Sequence, residues 1–95
     1  MQTPPEQKSN ALSAYLVTAA RGGDQKAMAG LVELHNRRLI AHAARLLNDV
    51  DGANDCVQDA WIEILRGLKG VRDASLFLPW ALRIVTRRVS RDIKR

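Results

Sequence analysis

Asp51-Gly52-Ala53-Asn54-Asp55-Cys56-Val57-Gln58-Asp59-Ala60-Trp61-Ile62-Glu63-Ile64-Leu65-Arg66-Gly67-Leu68 carries two stripes on one helix. Ala53, Val57, Ala60, Trp61, Ile64 and Leu68 recur at helical spacing and make an apolar face. Asp51, Asp55, Asp59 and Glu63 recur every fourth residue. At about 100° per residue these carboxylates span about 120° of one side. Like charges at this spacing repel by about a few tenths of a kcal/mol per pair. Such a stripe is tolerable in water and useful to a basic partner.

Working outward gives the rest of the fold. Asn48-Asp49 separates this helix from a preceding one, with Asp49 or Asp51 as its cap. The preceding helix spans roughly 25–47, opens at Asp24 and carries Met28, Leu31, Val32, His35, Leu39, Ala43 and Leu46 along one seam. Before it, Gly22-Gly23 stops a short helix over 10–21, in which Leu12, Tyr15, Leu16 and Ala19 read as the apolar face and Ser9 or Asn10 as the cap. Residues 1–9, polar and containing Pro4-Pro5, read as a flexible tail. After the acidic helix, residues 69–75 read as a loop. A last helix runs to about Lys94, with Ser75 as candidate cap and Pro79 in the first turn, where a missing N–H costs little. The expected fold is all-α: a compact four-helix domain over 10–95, made of a short helix, two long antiparallel helices, a loop and a basic C-terminal helix.

Charge divides along the chain. Residues 1–65 hold six basic and eight acidic side chains, a net of −2. Residues 66–95 hold nine basic side chains against Asp73 and Asp92, a net of +7. A basic last third is the electrostatic footprint of a polyanion partner. On a helical wheel of the last helix, Phe77, Ala81, Leu82, Ile84, Val85, Val89 and Ile93 make one side, and Arg83, Arg87, Arg91 and Lys94 the other. Trp80 falls among the cations. An aromatic within a basic stripe suits a single strand, whose phosphates meet guanidinium groups while a base stacks on the ring. The wheel leaves open whether Trp80 leans into the core instead.

Several classes are excluded. A single cysteine, Cys56, permits no internal disulfide framework and no cysteine zinc cage. No apolar run is long enough to span a membrane, and the first residues lack a signal-peptide core, so a cytoplasmic location is expected. No Gly-rich phosphate loop, His-Glu-x-x-His or Cys-x-x-Cys occurs. His35 and His42, seven apart, read as seam residues, and Cys56 as a small core residue. No nucleophile or pocket accompanies the carboxylates, so no enzyme, cofactor or metal site is expected.

Three segments resemble a known family. Asp55-Cys56-Val57-Gln58-Asp59-Ala60-Trp61, followed by Ile62-Glu63-Ile64-Leu65, is similar to the second region of bacterial RNA polymerase sigma factors, whose extracytoplasmic-function (ECF) subfamily usually reads Asp-Leu-Val-Gln-Glu and an aromatic residue. Gly23-Asp24-Gln25-Lys26-Ala27-Met28 is similar to the Gly-Asp-x-x-Ala-Phe that opens the preceding family helix. Phe77-Leu78-Pro79-Trp80-Ala81-Leu82-Arg83-Ile84-Val85 is similar to Phe-Arg-x-Trp-Leu-x-x-Ile-Ala. Cys56 and Leu78 depart from the usual Leu and Arg.

The resemblance implies a transcription initiation factor domain. Asp55, Gln58 and Asp59, with Asp51 and Glu63 beside them, match the helix that docks on the clamp helices of the polymerase's largest subunit. The physical basis is that carboxylates and an amide receive arginines in charge-assisted bonds. Lys69, Arg72, Asp73, Ala74 and Ser75, with Trp80, Arg83, Arg87, Arg88 and Arg91 on the next helix, match the segment that opens the promoter −10 element. There a flipped non-template base is held beneath the loop. Core polymerase, single-stranded −10 promoter DNA and an anti-sigma protein are the partners the resemblance implies. The competing expectation is a helical DNA-binding or protein-interaction module acting without polymerase. A helix-turn-helix reader places a short recognition helix after a three- or four-residue turn, and a long last helix after a seven-residue loop does not fit it.

Overall fold

Two brief breaks and one structured loop fold the chain into four helices. The computed structural model describes residues 5–94. Helix α1 spans Pro5–Arg21, α2 Gln25–Leu47, α3 Val50–Gly67 and α4 Phe77–Lys94, and no strand occurs among the described residues. The all-α, four-helix expectation is met.

At the first break Gly23 adopts φ +98°, a backbone that L side chains rarely take. The Asp24 side chain then accepts from the backbone N–H of Lys26 and Ala27 at 2.9 and 3.2 Å, starting α2 where the sequence predicts. At the second break Asn48 closes α2 in the left-handed region, φ 54°, and donates its N–H to Ala44 O at 2.7 Å. Asp49 occupies the cap position of α3 without a side-chain bond.

Helix α2 packs against α1, α3 and α4. Its Ala27, Leu31, His35, Leu39 and Ala43, spaced every fourth residue, are buried against the other three. All six apolar residues read on α3 are buried or in the core, joined by Cys56. Phe77, at the start of α4, is the aromatic hub. Its ring lies 5.3 Å from His35, 6.5 Å from Trp61 and 6.1 Å from Trp80, centroid to centroid. Trp61 donates its indole N–H to Asn36 Oδ1 at 2.9 Å, so its polar edge is satisfied.

Several local expectations are corrected. Helix α1 begins at Pro5, not Asn10, so neither Ser9 nor Asn10 is its cap, and residues 5–9 belong to the helix rather than a tail. Residues 1–4 lie outside the described residues. The buried face of α1 is Ser13, Val17 and Ala20; of the four residues expected there, Leu16 and Ala19 pack against the core, whereas Leu12 and Tyr15 are exposed. Small side chains let α1 approach α2 closely: Leu16 lies over Gly30, where an added Cβ would come 3.1 Å from its Cδ2. Ser13 tolerates burial because His35 Nε2 bonds its hydroxyl at 2.8 Å. Ile93 is exposed, because a wheel fixes angle only and not whether a neighbouring helix reaches that turn.

Candidate nucleic-acid interface and acidic face

The loop between α3 and α4 is stapled to the core at two points. A 3-10 turn over Leu68–Gly70 buries Leu68, and Val71, whose N–H donates to Leu68 O at 3.0 Å, is buried as well. A second 3-10 turn over Ala74–Leu76 is capped by Asp73, and Ser75, expected as the cap of the last helix, lies inside this turn, since α4 begins at Phe77. Asp73 Oδ1 accepts from Ser75 N–H at 3.0 Å and from Ser75 Oγ–H at 2.6 Å. These two bonds hold the Asp73 carboxyl below the usual carboxylate range. Anchored at its base, the loop leaves Lys69, Arg72, Asp73 and Ser75 exposed and Ala74 half-buried.

Between this loop and the start of α4 lies a cavity of about 370 Å³, lined by Gly70, Val71, Arg72, Asp73, Leu76, Pro79, Trp80 and Arg83. Its walls are mostly apolar, with two guanidinium groups and one carboxylate among them. Trp80 is half-buried. Its ring meets α3 at Gly67, where an added Cβ would sit 3.0 Å from Cζ2 and 3.1 Å from Cη2. The indole therefore packs on the core and also walls the cavity beside Arg83. Of the expected nucleic-acid residues, Arg72, Asp73, Trp80 and Arg83 converge here. Ala74 and Ser75 face a separate cavity of about 270 Å³ that also reaches Ser13 and His35. Arg88 and Arg91 border a small polar cleft of about 120 Å³ with Cys56, Asp59 and Asp92. Sequence reasoning missed Leu76 and Pro79 as cavity walls. Gly67 was the available signal, since a glycine closing a helix one loop before a tryptophan can be the seat of its ring.

The acidic face divides. Asp51, Asp55, Gln58 and Asp59 are exposed on α3. Ile62, unassigned from the sequence, is 53% exposed one turn beyond Gln58 and Asp59, on the side of α3 away from the core. Glu63 leaves this group and turns to α4. Its Oε1 accepts from Arg88 Nε at 3.0 Å, and its Oε2 accepts from Arg87 Nη2. Glu63, Arg87 and Arg88 were expected to serve two different partners, yet they bind one another.

The remaining chemistry is structural. Burial, reinforced by Arg38, pushes the His35 pKa down. Thr86 Oγ1 donates to Leu82 O at 2.9 Å, so its bond of 2.8 Å with His42 is donated by the Nε2–H. Burial, then Asp92, pushes the Cys56 thiol up, away from reactivity. No cluster of metal-ligating side chains occurs among the described residues, and no described helix is long and apolar enough to cross a membrane.

Residues 31–95 match the family model for Sigma-70 region 2. No curated protein and no solved structure gives a significant match. The matched segment covers most of α2, all of α3, the loop and α4, and thus both the acidic face and the cavity. The chain belongs to the sigma-70 region 2 family, the non-enzymatic domain through which sigma factors associate with core RNA polymerase and recognise promoter DNA in transcription initiation.

Proposed function

We propose that this domain acts as an ECF-type region 2: it docks on the polymerase through α3 and opens the −10 element by holding a flipped non-template base in the cavity beneath the α3–α4 loop. The observation that carries the reading is the cavity of about 370 Å³ with Trp80, Arg72, Asp73 and Arg83 in its lining. The indole offers a stacking surface. Arg72 and Arg83 meet the phosphates flanking the extruded nucleotide, and Lys69 and Arg91 extend that contact. Two of the acceptor positions on the Asp73 carboxylate are taken by Ser75, which leaves others for the amino group of a base. Unstacking a base costs about a few kcal/mol, and stacking on an aromatic ring returns about 1–3 kcal/mol per base. The cavity and the phosphate contacts together offset the cost of opening.

On α3, Asp51, Asp55, Gln58 and Asp59 present acceptors to basic side chains of the largest subunit's clamp helices, with Ile62 as an apolar centre among them. An anti-sigma protein that held the factor inactive would cover these same faces.

Two binding assays test the proposal by cross-comparison. Trp80→Ala should weaken a −10-like single-stranded non-template oligonucleotide by about 1–3 kcal/mol and leave core polymerase binding unchanged. Asp55→Ala combined with Gln58→Ala should do the reverse, with a loss of about 1.5–3 kcal/mol for a hydrogen-bonded charge. Tighter binding of duplex than of single strand, together with no binding to the clamp helices, overturns the proposal.

A further inference from the structure

The carboxylate of Glu63 reaches two consecutive arginines of α4 at once. The side chains are 31% exposed for Glu63, 54% for Arg87 and 27% for Arg88. All three are therefore within reach of solvent and of a competing anion. Arginine uses the same planar fork of N–H donors for carboxylate and for phosphate, so one ligand excludes the other at a given edge. Arg72 and Arg83, at the cavity, have no ion pair among the described residues. The cations nearest the cavity are thus uncommitted, while Arg87 and Arg88, further along α4, are already bound.

We propose that Glu63 is a positioning residue of the nucleic-acid face. It holds Arg87 Nη2 and Arg88 Nε against α3 and offsets their charge, so a phosphate must displace it to use those donors, and it thereby lowers sequence-independent strand binding relative to capture of a base in the cavity. The inference rests on the strand-binding reading of α4 given above. Specificity is a difference of affinities, and weakening the common background widens it as surely as improving the preferred contact. The background here is counterion release at each neutralised phosphate, which is indifferent to sequence. With Glu63 in place, Arg83 and Arg91 are the α4 arginines without a carboxylate partner among the described residues, and they carry most of the phosphate contact. The slope of log K against log salt for a single strand should then be near about −1.4 from α4, steepening to about −2.8 when Arg87 and Arg88 join.

The experiment compares the unsubstituted chain with Glu63→Gln and Glu63→Ala. The probes are oligodeoxythymidine and a strand selected from a random pool by the unsubstituted chain, titrated from about 50 to 200 mM salt. Both variants should bind oligodeoxythymidine more tightly, steepen the salt slope by about 1 or more, and narrow the preference for the selected strand. Adding Arg87→Gln and Arg88→Gln to Glu63→Gln should abolish these gains. A purely structural role predicts weaker binding at an unchanged slope. That result, or no change while Trp80→Ala still releases the selected strand, overturns the role of Glu63 alone. If neither Trp80→Ala nor Arg83→Ala weakens either probe, the strand-binding face itself is refuted, and this proposal with it.

Discussion

The outer face of α3 and the outer face of α4 treat their charges differently. On α3, Asp51, Asp55 and Asp59 stand exposed without an ion pair among the described residues, although their spacing makes them repel. On α4, two exposed or half-exposed arginines are bound by one glutamate from the neighbouring helix. One face keeps its charge open to a partner, and the other has part of its charge already engaged. A count of charges therefore overstates what α4 offers and describes α3 fairly. The sign of a surface is a property of composition, whereas its availability is a property of packing.

The largest expected effect tests whether both faces depend on one core. Phe77 is buried beneath the cavity loop and contacts rings from α2, α3 and α4. Phe77→Ala should cost about 3–5 kcal/mol, a sizeable part of the about 5–15 kcal/mol that holds a domain together. Urea unfolding measures the loss, and polymerase and strand binding should decline together with the folded fraction. A loss below about 1 kcal/mol shows that the aromatic hub does not hold the two faces in register.

The intermediate effect separates the faces. Gly67 ends α3 with φ −89°, a backbone that alanine also adopts, so Gly67→Ala introduces no backbone strain. Its added methyl meets two ring atoms of Trp80 at 3.0–3.1 Å, so the indole must shift by a few tenths of an ångström and changes its place in the cavity wall. Single-strand affinity should fall by less than the about 1–3 kcal/mol per base expected on removing the ring. Polymerase binding through α3 should be unchanged. Equal loss of both activities in a titration series shows that the faces are not independent.

What the sequence made legible follows the same division. The i, i+3, i+4 recurrence on α3 located its buried face, because a long amphipathic helix between two partners has few alternatives. The bounds of α2 were readable from Asp24 and Asn48, whose side-chain and backbone chemistry acts within a turn. Helix α1 was misread in part: Leu16 and Ala19 pack against the core, but apolarity alone also pointed to Leu12 and Tyr15, which are exposed, and passed over Ser13, Val17 and Ala20, which are buried. The need for Ser13 to be inside came from His35, 22 residues away, a pairing no local pattern carries. The cation stripe of α4 was visible, but the Glu63 fork was not, since it joins side chains 24 and 25 residues apart. Local rules delivered the elements and their signs. The cavity, the seat of Trp80 and the engaged arginines arise from contacts between elements.

The smallest expected effect concerns the pair that anchors α1 to α2. His35 is buried, and its pKa lies below the usual value because burial and the nearby Arg38 disfavour the imidazolium. The unfolded chain, with His35 near about 6.5, then binds more protons than the native chain once the pH drops toward and below that value. Stability from neutral His35 is complete above about pH 6.5 and is lost as the pH falls from there to the depressed native value. Asp73, also lowered in the native state, acts in a different window: its contribution is intact above about pH 3.9 and is lost only as the pH falls below that. The melting temperature of the unsubstituted chain should therefore begin to fall as the pH is lowered from about 6.5. That of His35→Gln, which retains a partner for Ser13 without a titrating ring, should fall less over the same interval. Parallel curves for the two chains would remove His35 from the acid response.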